Sequence, residues 1–259
     1  MSRVVNAFEP TKDAIFGGRV VIFQPPRGKG YRTNVDALLL ADFASSARSV
    51  SVAFDLGAGV GAIGLSLLWL GAAHQVVFVE LDPVTAALAK RNLEANGWGD
   101  RGEVIRADVR EVAEPRRGAA NLIVCNPPYV APGRGRVPPA EALARSGEVE
   151  IFVRAARQIG GRHARFAFVF PASELTHLLA TLANSGLYAK RLRFVHATGD
   201  VPARIVLVET VAGRPGGLSV LPALVERTES GYSPQMLEIF QREPSSRSSA
   251  MAPAARTLR

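Results

Sequence analysis

The 259-residue sequence has little with which to build redox or metal chemistry. It contains one cysteine, Cys125, and four histidines (His74, His163, His177 and His196) that share no ligand spacing. A lone thiol rules out an intramolecular disulfide and any multi-cysteine zinc site, which suits a reducing cytoplasm. The scattered histidines offer no coordination set, so no metal is expected. Lysine is scarce as well. Only Lys12, Lys29, Lys90 and Lys190 occur among 31 basic residues, against 23 acidic ones, so the formal charge of +8 is carried almost wholly by arginine. That balance suits a polyanionic partner, although an arginine-rich coding bias produces the same excess. No secretory signal opens the chain. One uncharged run, residues 56–79, approaches the ~20 residues of a membrane span. Gly57, Gly59, Gly61, Gly64 and Gly71 interrupt it and divide it into a tight loop, a buried helix and a strand, so no membrane partner is expected.

With 47% hydrophobic and 21% charged residues, the chain has a globular composition. Residues 14–24 read as a hairpin around Gly17-Gly18, and Thr33-Asn34 caps a helix over 35–44. From residue 49 strands and helices alternate: strands at 50–55, 75–80, 103–107, 121–125 and 164–170, with helices at 61–70, 83–96, within 141–159 and at 172–185. Strands then follow without helices at 187–195, 205–211 and 218–221. This order predicts an α/β, Rossmann-like fold: a mostly parallel, doubly wound sheet with an antiparallel strand at its C-terminal edge and a short N-terminal hairpin. Residues 1–48 are expected to pack as hairpin and covering helix on a catalytic domain of residues 49–243. Residues 244–259, rich in Ser, Ala, Pro and Arg, read as a disordered tail.

The sharpest motif is Asp55-Leu56-Gly57-Ala58-Gly59-Val60-Gly61 at the end of the first strand of the alternation. Its glycines let the chain turn into a helix and let a ligand lie against the backbone. Residues 59–64 match the dinucleotide fingerprint, and Glu80 stands where a ribose-binding acid belongs, about 20 residues on. Charge separates the candidates. A pyrophosphate seeks the bare helix N-terminus, which a carboxylate at Asp55 would oppose, whereas S-adenosylmethionine carries an ammonium and a sulfonium and no phosphate. S-adenosylmethionine is therefore the expected cofactor, with Glu80 accepting its ribose hydroxyls and Asp108 its adenine amino group. Asp82 reads as the cap of the helix opening at Pro83.

The second motif, Asn126-Pro127-Pro128-Tyr129, follows the apolar strand 121–125. An exocyclic amine or carboxamide nitrogen is a poor nucleophile because its lone pair is delocalised. The Asn126 side-chain oxygen and the Pro127 carbonyl can accept both of its N–H bonds and stabilise the charge that develops as it attacks a methyl group. Two prolines stiffen the loop, and Tyr129 can stack on the target base. Arg134 and Arg136, on the loop beyond, either grip phosphates of an RNA or lie on a merely solvated loop. Cys125 has no histidine beside it and reads as a buried small residue, and the 190–193 run as an exposed strand face.

These motifs resemble the class I S-adenosylmethionine-dependent methyltransferases that modify amino or amide nitrogens. Together with Gln24-Pro25, the run from Gly30 to Ala41, Val79-Glu80-Leu81-Asp82, and the stretch from Gly217 through Tyr232-Ser233-Pro234, they resemble above all the bacterial valine-tRNA adenine-N6 methyltransferases, which act on adenine 37 beside the anticodon. The resemblance implies cofactor contact at Asp55, Gly57, Glu80 and Asp108, beside Gly59 of the same glycine loop, a cofactor-covering role around Arg32–Asn34, and target-amine contact at Asn126. It implies a tRNA partner. Two other functions remain open at this point. A release-factor glutamine-N5 methyltransferase shares the Asn-Pro-Pro-Tyr motif but places a helical recognition domain ahead of the catalytic one. A catalytically silent cofactor-binding module that holds RNA would need no intact amine-binding motif.

Overall fold

The computed structural model describes residues 8–29, 32–45, 48–127 and 139–244, with 139–148 described by backbone alone. The expected tail therefore lies almost wholly outside the described residues. The chain opens with an antiparallel hairpin of β1 (Thr11–Ile15) and β2 (Val20–Gln24), then α1 (Val35–Ser45). The alternation follows: β3 (Val50–Leu56), α2 (Ala62–Trp69), β4 (Ala73–Glu80), α3 (Pro83–Ala95), β5 (Gly102–Arg106), α4 (Val109–Ala113), β6 (Ala120–Cys125), α5 (Pro139–Ile159) and β7 (Gly160–Pro171). After a 3-10 turn come α6 (Leu175–Asn184), β8 (Leu187–His196) and β9 (Ala203–Ala212). Four two-residue strands, β10 (Ser219–Val220), β11 (Leu224–Val225), β12 (Arg227–Thr228) and β13 (Gly231–Tyr232), lead into α7 (Pro234–Phe240).

The main sheet has the order β10-β8-β9-β7-β6-β3-β4-β5, with β11 also on β8. Strands β3 to β7 are mutually parallel, as the alternation predicts. The antiparallel strand is β9, and it enters between β7 and β8 rather than outside them. Its composition explains this: residues 205–210 are buried without interruption, as an interior strand requires, while β8 carries Lys190, Arg191 and Arg193 and tolerates a more open position. The short helix α4 was not expected from the sequence; Asp108 caps it by accepting the Arg110 N–H.

Apolar layers cover both faces of the sheet. One is built with α1, α2, α3, α7 and the hairpin, the other with α4, α5 and α6. Helix α2, AIGLSLLW, is apolar all round because the sheet lies on one side of it and α1 and the hairpin on the other. Charge fixes α1 at both ends. At its start the buried Asp36 pairs with Arg204, which also holds Glu226. At its end Arg165 and Arg191 bond the Ala44 and Phe43 carbonyls while sharing the buried Glu209 of β9, which complements the negative end of the helix dipole. Among the described residues no helix is long and apolar enough to cross a membrane.

Gly64 lets α2 lie directly on β4, since a Cβ there would stand 2.2 Å from the Phe78 ring. Gly64→Ala is expected to destabilise the fold by about 1–3 kcal/mol through overpacking. Gly99→Ala, whose Cβ meets nothing within 4 Å, is expected to stay within about 0.5 kcal/mol of the native protein. Chemical denaturation of both variants checks the contrast.

Candidate active site

Strand register decides which residues meet at the C-terminal end of the sheet. Leu56 of β3 pairs with Val79 of β4 on one side and with Cys125 of β6 on the other. The next residue in each chain direction is Gly57, Glu80 and Asn126, so these three stand at one level, neighbours separated by about 4.8 Å of strand spacing. Glu80 pairs in turn with Arg106 of β5, and Asp108 lies two residues beyond. Four motif residues far apart in sequence thus share one rim, where open parallel sheets place their ligands.

The loop leaving β3 turns on Gly57, Gly59 and Gly61, at φ +70°, +56° and +88°. That region is strained for any side chain. Space is short as well, since a Cβ on Gly57 would approach Phe152 to 3.1 Å. The Gly57 and Ala58 N–H groups both donate to the Val79 carbonyl, and Gly61 opens α2 without a side-chain cap of its own.

Asp55 supplies what that helix lacks. Fully buried beneath the loop, it accepts the Gly64 N–H through Oδ2 at 2.9 Å, while its Oδ1 is buried with no hydrogen-bond partner among the described residues. Burial pushes its carboxyl up to about 7, opposed by the Gly64 hydrogen bond and reinforced by the charge of Glu80. The first turn of α2, which a pyrophosphate would need, already faces a carboxylate. A buried acceptor of this kind suits a cationic ligand. Cys125, fully buried, has its thiol pushed well up by burial and by the Asp55 charge, which removes it as a nucleophile.

Glu80 is held across the loop mouth. Its Oε2 accepts the Gly59 N–H at 2.7 Å and its Oε1 the Asp82 N–H at 2.8 Å. Each carboxylate oxygen has a further lone pair for a hydroxyl donor. Asp82 caps α3 by accepting the Val84 and Thr85 N–H groups, as its sequence context predicts. Asp108 has a structural task beside the binding task expected of it. The Arg110 guanidinium bonds both its oxygens, at 2.9 and 2.7 Å, and holds its carboxyl below the usual range. An adenine amino group would share Asp108 with that ion pair.

Arg32 and Asn34 lie on the hairpin side of the loop. The Arg32 guanidinium reaches Asp13 at 2.9 Å, the Thr11 hydroxyl at 2.8 Å and the Pro25 carbonyl, closing the base of the hairpin. Asn34 bonds the Asp36 N–H and carboxylate at the entry to α1. Both side chains are engaged in shaping this wall. Asn126 is half-buried and Pro127 buried at the end of β6. Tyr129, Arg134 and Arg136 lie outside the described residues. Among the described residues no group of three or more His, Cys, Asp or Glu side chains is arranged to hold a metal.

Sequence reasoning missed one residue of this region. Asn92 of α3, fully buried, donates to the Val60 carbonyl within the glycine loop at 2.9 Å. The signal was a polar residue among the apolar positions Leu88, Ala89 and Leu93 of the same helix.

Residues 33–149 match the family described as methyltransferase small domain. The chain is 33% identical over 190 residues to a tRNA1(Val) (adenine(37)-N6)-methyltransferase of Erwinia tasmaniensis, covering 71% of this chain and 76% of that protein. A protein of the same description from Tolumonas auensis is 27% identical over 213 residues, covering 80% of this chain and 87% of its own length. Among solved structures, a predicted O-methyltransferase from Agrobacterium tumefaciens is similar at TM-score 0.65 and 23% identity, over 81% of this chain and 98% of that one. TYW2 of M. jannaschii, solved in complex with AdoMet, shares the fold at TM-score 0.54 and 13% identity over 81% of this chain and 90% of its own. The acids and glycines at the rim fit S-adenosylmethionine, a phosphate-free cation, which Glu80 would hold by its ribose and Asp55 by charge. The chain is an S-adenosylmethionine-dependent methyltransferase, and it belongs to the family of the tRNA1(Val) (adenine(37)-N6)-methyltransferases.

Proposed function

We propose that this protein methylates the exocyclic N6 of adenine 37 in the anticodon loop of a valine tRNA, in the cytoplasm. The observation that carries the reading is the common level of Gly57, Glu80 and Asn126, which sets Asn126 beside the glycine loop. The names of the relatives, which share most of this chain, supply the substrate. When bound, S-adenosylmethionine supplies a methyl carbon activated by its sulfonium. The chain's own work is positional. The Asn126 oxygen and the Pro127 carbonyl accept the two N–H bonds of the target amine, align its lone pair, and stabilise the positive charge that grows on nitrogen.

An adenine stacked in RNA cannot present its amine, so it must be turned out and held, here against Tyr129, at a cost of a few kcal/mol that is smallest in a single-stranded loop. Arg134 and Arg136 are assigned to the surrounding phosphates. The net charge of +8 supports such a grip. So does the β12–β13 unit, where the exposed Arg227 stacks 4.4 Å over the Tyr232 ring. The pairing of β11 with residues 195–196 sets that unit at the same end of the sheet as Asn126.

Three outcomes follow. Asn126→Ala is expected to lower single-turnover methylation roughly 100- to 1000-fold while cofactor affinity stays nearly unchanged, since the lost acceptor serves the transition state. A change under about 10-fold would refute the amine-holding role. For the cofactor, Asp55 is neutral below and ionised above about pH 7. A cationic ligand favours the ionised form, so binding measured by calorimetry should tighten as pH rises from about 6 to about 7.5, and Asp55→Asn should abolish that slope. For the substrate, mass mapping of tRNA from cells with and without the protein should locate N6-methyladenosine at position 37 of a valine tRNA. Binding should weaken steeply with salt, and Arg134→Ala with Arg136→Ala should reduce both affinity and slope. Efficient methylation of a release-factor glutamine by protein that leaves every tRNA unmodified would overturn the assignment.

A further inference from the structure

The N-terminal hairpin is joined to the body by an unusual seam. Val21 and Phe23 of β2 direct their backbone groups toward α3, where two asparagines meet them. Asn96 accepts the Val21 N–H at 2.9 Å and donates to the Val21 carbonyl at 2.8 Å. Asn92 does the same for Phe23, at 2.6 and 3.0 Å. The geometry matches because four residues of helix rise about 6.0 Å and two residues of strand about 6.6 Å. Side-chain amides spaced four apart therefore imitate a neighbouring strand. Arg91 adds to the seam by lying 3.7 Å over the Phe23 ring.

The two asparagines differ in one respect. The Asn96 amide makes its remaining bond to the Asn92 carbonyl, within its own helix. The Asn92 amide makes its remaining bond to Val60, between Gly59 and Gly61 of the cofactor loop. We propose that Asn92 is a positioning residue that couples the seating of the hairpin to the shape of the glycine loop. One fully buried amide spans both, so a displaced hairpin leaves either Phe23 or Val60 without its partner, at the cost of a buried unsatisfied group. The other bonds to the loop come from the sheet side, Glu80 on the Gly59 N–H and Val79 on the Gly57 and Ala58 N–H groups, whereas Asn92 is the tie from α3 to the Val60 carbonyl. The hairpin base is meanwhile closed by Gln24, which bonds Asp13 and accepts the Thr33 N–H, so the wall carrying Arg32 and Asn34 moves with the same unit. The inference concerns the cofactor and is independent of the substrate reading.

The test compares the two asparagines on the whole protein. Calorimetry with S-adenosylmethionine, at a temperature where circular dichroism shows each variant folded, should find affinity reduced at least about 10-fold in Asn92→Ala and changed less than about 2-fold in Asn96→Ala. Both substitutions should lower Tm, since each removes two hydrogen bonds of the seam; in Asn96→Ala, Asn92 still seats Phe23 and Val60. Equal affinities in the two variants would overturn the coupling and leave a purely structural joint. Native protein gives a second readout that needs no variant. Because coupling is reciprocal, adding S-adenosylmethionine should slow hydrogen exchange at the Phe23 amide together with that at Gly61. Protection of Gly61 with Phe23 unchanged would equally overturn it.

Discussion

The hydrogen-bond register of β4, β3 and β6 is the constraint on which the active site depends. Asp55, Glu80 and Asn126 stand at or beneath its rim, and their relative positions are set by Leu56 pairing with both Val79 and Cys125. A two-residue slip of either neighbour would move its functional side chain about 6.6 Å along the strand. Such a slip is opposed by the core itself. Phe54, Phe78, Ile123 and Val124 are buried on strands packed on both faces, and close packing leaves them no alternative seats. Precision at the rim is a consequence of packing beneath it.

Asp55 shows how that core accommodates a charge. Its burial is unfavourable to the ionised form, which is why its carboxyl is raised to about 7, and the Gly64 N–H offsets only part of the cost. A carboxylate at this position nonetheless suits a cationic ligand better than a phosphate. A helix N-terminus with open N–H groups attracts phosphate, and the same terminus closed by a carboxylate favours a cation. One residue type at the end of β3 separates two ligand classes that share a glycine loop.

Around this centre α1 and the hairpin are held by polar side chains, most of them acting on backbone. Asn92 and Asn96 pair the edge of β2, Arg165 and Arg191 close the end of α1, and Asp36 with Arg204 fixes its start. Each satisfies groups that burial would otherwise penalise. Because α1 and the hairpin form the wall beside the glycine loop, these contacts lie on the path from the fold to the ligand. Asp108 has the same double character, capping α4 and pairing Arg110 at the rim where an adenine acceptor is expected.

The sequence by itself determined the parallel doubly wound sheet, the glycine loop after the first strand of the alternation, and the placing of Glu80, Asp108 and Asn126 at strand ends. Those features are written in local signals: alternating apolar runs, glycines where φ must be positive, and acids or prolines where a strand stops. The cap at Asp82 was legible for the same reason. Only the tertiary structure decided that β6 lies beside β3, which makes Asn126 a neighbour of Gly57, and that β9 enters between β7 and β8. It alone revealed that Asp108 is shared with Arg110 and that Asn92 bonds two segments at once. Strand order and long-range hydrogen bonds and ion pairs join residues as far apart as 32 positions (Val60 and Asn92) and 168 positions (Asp36 and Arg204), and no local periodicity carries the energy of a contact that exists only after the layers have packed.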